Sequence, residues 1–126
     1  MKFIKLFEDY KVIDAKCEKY RIRNYTINED GSIDVNGDVY LENRRLTKLP
    51  LKFRNVTGYF DCSYNKLTSL EGSPISVGGG FYCYENKLTS LEGSPKSVGG
   101  YFYCHSNKLT SLNWRAVFTF EEYLYK

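Results

Sequence analysis

The chain has 126 residues, 18 of them basic and 15 acidic, giving a net charge of +3 with the charges spread along its whole length. That length fits one small domain, 1–126, and so weak a charge bias demands neither a nucleic acid nor a membrane surface as partner. No run approaches the roughly 18 apolar residues of a membrane span, and "MKFIKLFEDY" has an acid by position 8 and no apolar leader core, which reads as a cytoplasmic protein outside the membrane.

The first segment, "FIKLFEDYKVIDAKCEKY", places Phe3, Leu6 or Phe7, Tyr10, Ile13, Cys17 and Tyr20 at helical spacing. An apolar stripe of this kind covers the end of a core or binds a partner. Its place ahead of the repeats described below favours the first role. "YTINEDGSIDVNGDVYL" then alternates apolar and polar residues around Asp30-Gly31, which predicts a hairpin leading into the first repeat strand. Residues 1–37 are thus read as an N-terminal cap of helix and hairpin.

Residues 38–112 repeat. "FDCSYNKLTSLEGSP" from Phe60, "FYCYENKLTSLEGSP" from Phe81 and "FYCHSNKLTSL" from Phe102 share one register, each copy starting one fixed period after the last. One period earlier, "VYLENRRLTKLP" from Val39 keeps the apolar slots and has Arg44 where the others have asparagine. A fixed period in the range of about 20 to 50 residues marks a solenoid, whose units must stack on one another to bury their apolar faces and whose ends need caps. About four coils are expected. After them, Asn113 can N-cap a helix of about a dozen residues with Trp114, Val117, Phe118 and Leu124 on its apolar side, so 113–126 is read as a C-terminal helical cap.

The unit Phe81-x-Cys83-x-x-Asn86-x-Leu88-x-x-Leu91 follows the leucine-rich-repeat signature, with Phe and Cys in place of leucines. Residues 31–112 resemble the short bacterial leucine-rich repeats, in which "N-x-L-T-S-L" precedes a Pro-containing return. Nearly the whole chain is similar to a group of small proteins of tailed bacteriophages that share "YTINEDGSIDV" and "LTSLEGSP..VGG.F.C". The resemblance implies a leucine-rich-repeat-type parallel β solenoid, and a phage accessory protein that engages a host or virion protein, an inhibitor of a host defence complex being one form. The aromatic at the first strand position, the cysteine at the second, and Gly78, Gly79, Gly80, Gly99 and Gly100 depart from the usual pattern.

Alternation along a strand sorts the remaining residues. With Phe81 and Cys83 inward, the opposite, concave face carries Tyr40, Tyr59, Tyr82, Tyr84, Tyr101, Tyr103 and His105. Tyrosine joins contact area to a polar tip and is enriched at interfaces, so this face is the candidate protein-binding site, although stacked tyrosines also pack on one another. Asn65, Asn86 and Asn107 are read as an inward ladder that bonds backbone groups of its own and the next coil, with Arg44 turned outward. Cys62, Cys83 and Cys104 are read as small buried hydrophobes: a disulfide suits neither a reducing compartment nor stacked strand positions, and His105 adjoins Cys104 and faces the other way, leaving neither a zinc set nor a Cys-His pair.

Arg45, Lys66, Lys87 and Lys108 supply one cation per coil. They either keep the repeat soluble, partly neutralised by Glu71 and Glu92, or form phosphate contacts for single-stranded nucleic acid beside the stacking tyrosines. With no glycine-rich phosphate loop, no metal cluster and one histidine, the chain is read as a non-catalytic binding module without metal or cofactor.

Overall fold

The computed structural model describes residues 2–110 and 124–125. Helix α1, Lys2–Lys19, places Lys16 and Lys19 in its last turn, where cations suit the negative end of the helix dipole. It stops at Arg21, which takes the left-handed conformation (φ 57). The Arg21 N–H donates to Glu18 O (3.1 Å) and the Ile22 N–H to Cys17 O (2.8 Å), the paired bonds of a Schellman cap. Cys17 and Ile22 are buried, and Ile13 and Tyr20 pack against the core from the same stripe.

The hairpin forms from β1, Tyr25–Ile27, and β2, Ile33–Val35, paired antiparallel. Its turn is set by Gly31 (φ 84) and by the Asp30 carboxylate, which accepts from the Ser32 N–H (3.0 Å) and hydroxyl (2.6 Å). The hairpin leads into the first repeat strand through a change of sheet. Beyond β2 the chain passes Gly37 and enters β3, Val39–Tyr40, which belongs to a second sheet.

From there it alternates between the two sheets. The first contains β1, β2, β4 (Phe53–Val56), β6 (Ser76–Val77) and β8 (Ser97–Val98); the second contains β3, β5 (Phe60–Asp61), β7 (Phe81–Tyr82), β9 (Phe102–Tyr103) and β10 (Leu124–Tyr125). Apart from the β1/β2 hairpin all pairs are parallel. The result is a parallel β solenoid of about three turns behind one N-terminal helix. Four rungs, Val39, Phe60, Phe81 and Phe102, stand in register, and they bound three complete circuits rather than four. The expected C-terminal helix from Asn113 lies outside the described residues except at Leu124–Tyr125, which are a strand parallel to β9.

The core fills the space between the sheets. Val56, Val77 and Val98 face inward from the first, and Val39, Phe60, Phe81 and Phe102 from the second, joined by Leu67, Leu70, Leu88 and Leu91 of the return segments. Phe60 and Phe81 stack with centroids 5.5 Å apart, Phe81 and Phe102 lie at 5.0 Å, and Phe53 meets Phe60 edge-on at 4.9 Å. The corner between the sheets is glycine because successive coils nearly touch there: a Cβ on Gly78 would sit 2.2 Å from Thr57 O, and one on Gly99 2.2 Å from Gly78 O.

Candidate functional site

The outward residues of the second sheet lie on a lattice fixed by the repeat. Parallel pairing aligns Tyr40, Asp61, Tyr82 and Tyr103 in one column. The same one-period shift aligns Asp38, Tyr59, Gly80 and Tyr101 in a second column, and Glu42, Ser63, Tyr84 and His105 in a third. Backbone bonds carry this pairing past the two-residue strands. Leu41 N donates to Asp61 O (2.7 Å), Cys62 N to Tyr82 O (2.8 Å) and Cys83 N to Tyr103 O (2.9 Å).

Within the lattice four rings form a continuous stack: Tyr59 on Tyr82 (6.0 Å), Tyr82 on Tyr103 (5.2 Å) and Tyr103 on Tyr101 (5.6 Å), with interplanar angles of 20° or less. Gly80 makes room for this, since a Cβ there would lie 2.5 Å from the Tyr82 hydroxyl oxygen. A second stack, Tyr84 on His105 at 4.7 Å, joins the first through the edge of Tyr103. Tyr82, Tyr84, Tyr103 and His105 are half-buried by this packing, whereas Tyr40, Tyr59 and Tyr101 keep 50%, 46% and 58% of their surface exposed.

Tyr64 extends the face and was not among the sequence candidates. It is 54% exposed and meets the edge of Tyr84 at 5.3 Å. It sits where the strand ends, in the left-handed conformation (φ 55) shared by Asn43, Glu85 and Ser106 in the other coils. Strict alternation assigns no face to a residue in that conformation. The available signal was the recurrence, once per period, of a residue directly before the inward asparagine slot.

Within the three columns charge is acidic and confined to the first coils; Glu85 lies outside them, in the Tyr64 slot. Asp38 accepts from the Tyr59 N–H (2.8 Å) and from the Tyr40 hydroxyl (3.3 Å), and Asp61 accepts from the Ser63 N–H (2.9 Å) and hydroxyl (2.5 Å). The Tyr40 hydroxyl is shifted up by burial and then by Asp38, with Glu42 and Asp61 adding to it. Burial, then the neighbouring Tyr59 and Tyr103, shift Tyr82 the same way.

Behind the face stand the asparagines. Asn86 Nδ2 donates to Cys62 O (3.0 Å) and Cys83 O (3.1 Å), and its Oδ1 accepts from the Leu67 N–H (3.0 Å). Asn107 repeats the set with Cys83 O, Cys104 O and the Leu88 N–H. Asn65 takes two N–H groups, of Arg44 and Leu46, on one oxygen. The bonds run to each asparagine's own coil and the preceding one, not the next. Arg44, in the first slot, is exposed and lies over the Tyr20 ring at 5.5 Å, tying the first coil to the end of α1.

Cys62, Cys83 and Cys104 are buried inside the core, and burial pushes the Cys62 and Cys83 thiols far above the usual thiol range. Cys17, on the core-facing side of α1, is likewise buried, and burial pushes its thiol up to about 11. Thiols held protonated in this way are poor nucleophiles and metal ligands. Among the described residues no group of three His, Cys, Asp or Glu is placed to hold a metal ion, and no helix is long and apolar enough to cross a membrane.

Arg45, Lys66, Lys87 and Lys108 are exposed, past the end of the tyrosine lattice. Their backbone has a structural duty: the N–H groups of Lys66, Lys87 and Lys108 donate to Leu46, Leu67 and Leu88 of the coil before, at 2.8 to 2.9 Å. Their charged groups form no ion pair among the described residues, where the two salt bridges are Lys52 with Asp30 and Arg54 with Asp34. Glu71 and Glu92 therefore do not pair with this column. No protein-family model matches the chain, and neither a curated protein nor a solved structure does.

Proposed function

We propose that the chain is a non-catalytic binding module whose tyrosine face docks on a protein partner, and that its coils are of the leucine-rich-repeat type. The observation that carries the first statement is the stack Tyr59, Tyr82, Tyr103, Tyr101. Rings already held by one another and by a parallel ladder lose little freedom when a partner covers them, which is where association usually loses affinity. The packing does not consume the face, because Tyr40, Tyr59, Tyr64 and Tyr101 remain about half exposed. Tyrosine area of this kind is what hot spots are made of. The "N-x-L-T-S-L" pattern and the inward asparagine support the repeat type, and the resemblance to phage proteins supports a host or virion protein as partner.

Four rungs at about 4.8 Å span only about 15 Å, less than the roughly 800 Å² per partner of a standard interface requires. The partner therefore also touches a rim or offers a short segment. Affinity capture with wild-type protein beside Tyr82→Ala and Tyr103→Ala tests the proposal. A partner whose binding falls by more than about 1 kcal/mol in each variant supports it, as loss of a buried aromatic anchor does. A partner held equally by all three proteins would refute it.

The unpaired cation column favours a second function, single-stranded nucleic-acid binding with tyrosines stacking on bases. Carboxylates inside the aromatic lattice oppose it, since Asp38, Glu42 and Asp61 would face a phosphate chain. A mixed-sequence oligonucleotide titrated across a salt series decides. Binding whose logarithm falls by about 0.7 per phosphate contacted, and whose slope flattens in the Lys66/Lys87/Lys108 triple alanine variant, establishes the second function; no binding at low salt eliminates it.

A further inference from the structure

The face is not uniform along the solenoid axis. In the three lattice columns its later coils carry no carboxylate, only Tyr82, Tyr84, Tyr101, Tyr103 and His105, and the single exposed Glu85 borders them in the slot that Tyr64 takes one coil earlier. In its first coils the half-exposed Tyr40 donates its hydroxyl to Asp38 (3.3 Å), stands opposite Asp61 in the parallel ladder and has Glu42 two residues along on the same face. Within the three lattice columns there is no lysine or arginine, and none of the three carboxylates has a salt bridge among the described residues. The hydrogen bonds of Asp38 and Asp61 come from neutral donors, the Tyr59 and Ser63 N–H groups and the Tyr40 and Ser63 hydroxyls, so the negative charge of these two is oriented but not cancelled.

A carboxylate group fixed beside an aromatic ring is the chemistry that receives a guanidinium or ammonium: the charge pairs with the carboxylates while its flat side or methylenes lie on the ring. We propose that the partner presents a short segment with an arginine or lysine seated over Tyr40 between Asp38, Glu42 and Asp61, and apolar side chains laid along the Tyr82, Tyr103, Tyr101 end. This inference rests on the tyrosine face being the docking surface and names the chemistry of what docks there. The alternation of charge and ring fixes the segment's direction along the solenoid axis. A segment of reversed polarity would place its cation over neutral rings and leave the three carboxylates facing apolar groups.

The test is selection of random dodecapeptides displayed on phage against the folded full chain, with counter-selection on the Tyr82→Ala/Tyr103→Ala variant. Selected peptides are then measured on wild type and on Glu42→Gln/Asp61→Asn, a variant that keeps an acceptor oxygen for Ser63 and whose folding is checked by its thermal midpoint. Expected are peptides with an arginine or lysine toward one end and apolar residues beyond it, and at least fivefold weaker binding to the double amide variant. Peptides that need the tyrosines but lack a cation, or that bind the amide variant equally well, would overturn the inference and leave the face standing as a docking surface. Absence of any tyrosine-dependent peptide would overturn both.

Discussion

Replacing Asn86 by alanine tests what holds the coils in register. The side chain is 8% exposed and serves two coils at once, through Leu67 N and Cys62 O of the preceding one and Cys83 O of its own. The losses are unequal. Cys62 O also accepts from Asn65 (3.0 Å) and Cys83 O from Asn107 (3.0 Å), so neither carbonyl is orphaned. The Leu67 N–H has no second acceptor among the described residues and stays buried beside a Leu67 side chain of 0% exposure. One orphaned buried donor costs roughly 1 to 3 kcal/mol, so Asn86→Ala is expected to lose about 2 kcal/mol. At a urea slope of about 1 to 3 kcal/mol/M this moves the midpoint down by about 1 M. Lys87→Ala, one residue away and exposed, is the control and is expected to stay within about 0.5 kcal/mol. Urea melts followed by circular dichroism read both. Equal midpoints for the two variants would refute the ladder's energetic role.

Gly78→Ala drives a methyl to 2.2 Å from Thr57 O, and is expected to cost about 1 to 3 kcal/mol in the same melts, as overpacking does; a wild-type midpoint would show that the corner has slack. The four buried thiols are expected to stay unmodified by a thiol reagent at pH 8 until urea unfolds the chain, and rapid labelling of Cys62, Cys83 and Cys104 in the folded protein would mean that the strands present the opposite face. Asp30 titrates at about 2, held down by the Ser32 hydroxyl and N–H and then by Lys52. A carboxylate with a depressed pKa in the folded state stabilises above its unfolded value, near 4, and that contribution disappears as pH falls towards 2. Asp30→Asn is accordingly expected to flatten the fall in thermal midpoint between pH 4 and 2, and an unchanged slope would assign that fall to other groups.

The second sheet was legible because its signal is local. Phe60, Cys62, Asn65 and Leu67 recur in each following coil at one fixed period, and two-residue alternation sorts core from face. The first sheet was not. Its strands Ser76–Val77 and Ser97–Val98 offer two residues each between a proline and paired glycines. Nothing so short shows a period of 2, and only the recurrence of Val56, Val77 and Val98 records it. The hairpin's turn chemistry was readable in Asp30-Gly31, while its attachment was decided by β2 pairing with β4, which lies a full coil further along the chain. Sequence spacing alone does not distinguish joining that sheet from joining the next repeat strand. Tyr64 escaped because a left-handed residue ends the alternation that located the others.

The asparagine ladder and the tyrosine stack are consequences of one constraint. Asn86 and Asn107 each bind the carbonyl of the cysteine in their own coil and of the cysteine one coil earlier, and Asn65 binds Cys62 O and, in the first coil, Leu41 O, which fixes successive rungs residue for residue. Fixed rungs in turn bring Tyr82 and Tyr103 to 5.2 Å and Tyr84 and His105 to 4.7 Å, because residues one period apart have no alternative neighbour. A slip of one residue would send the phenylalanines outward and the tyrosines into the core, as any odd shift of a strand does. The buried amides therefore position the exposed rings without touching them. An aromatic surface held this way costs little to order on binding, and it remains only as well aligned as the buried ladder that sets its spacing.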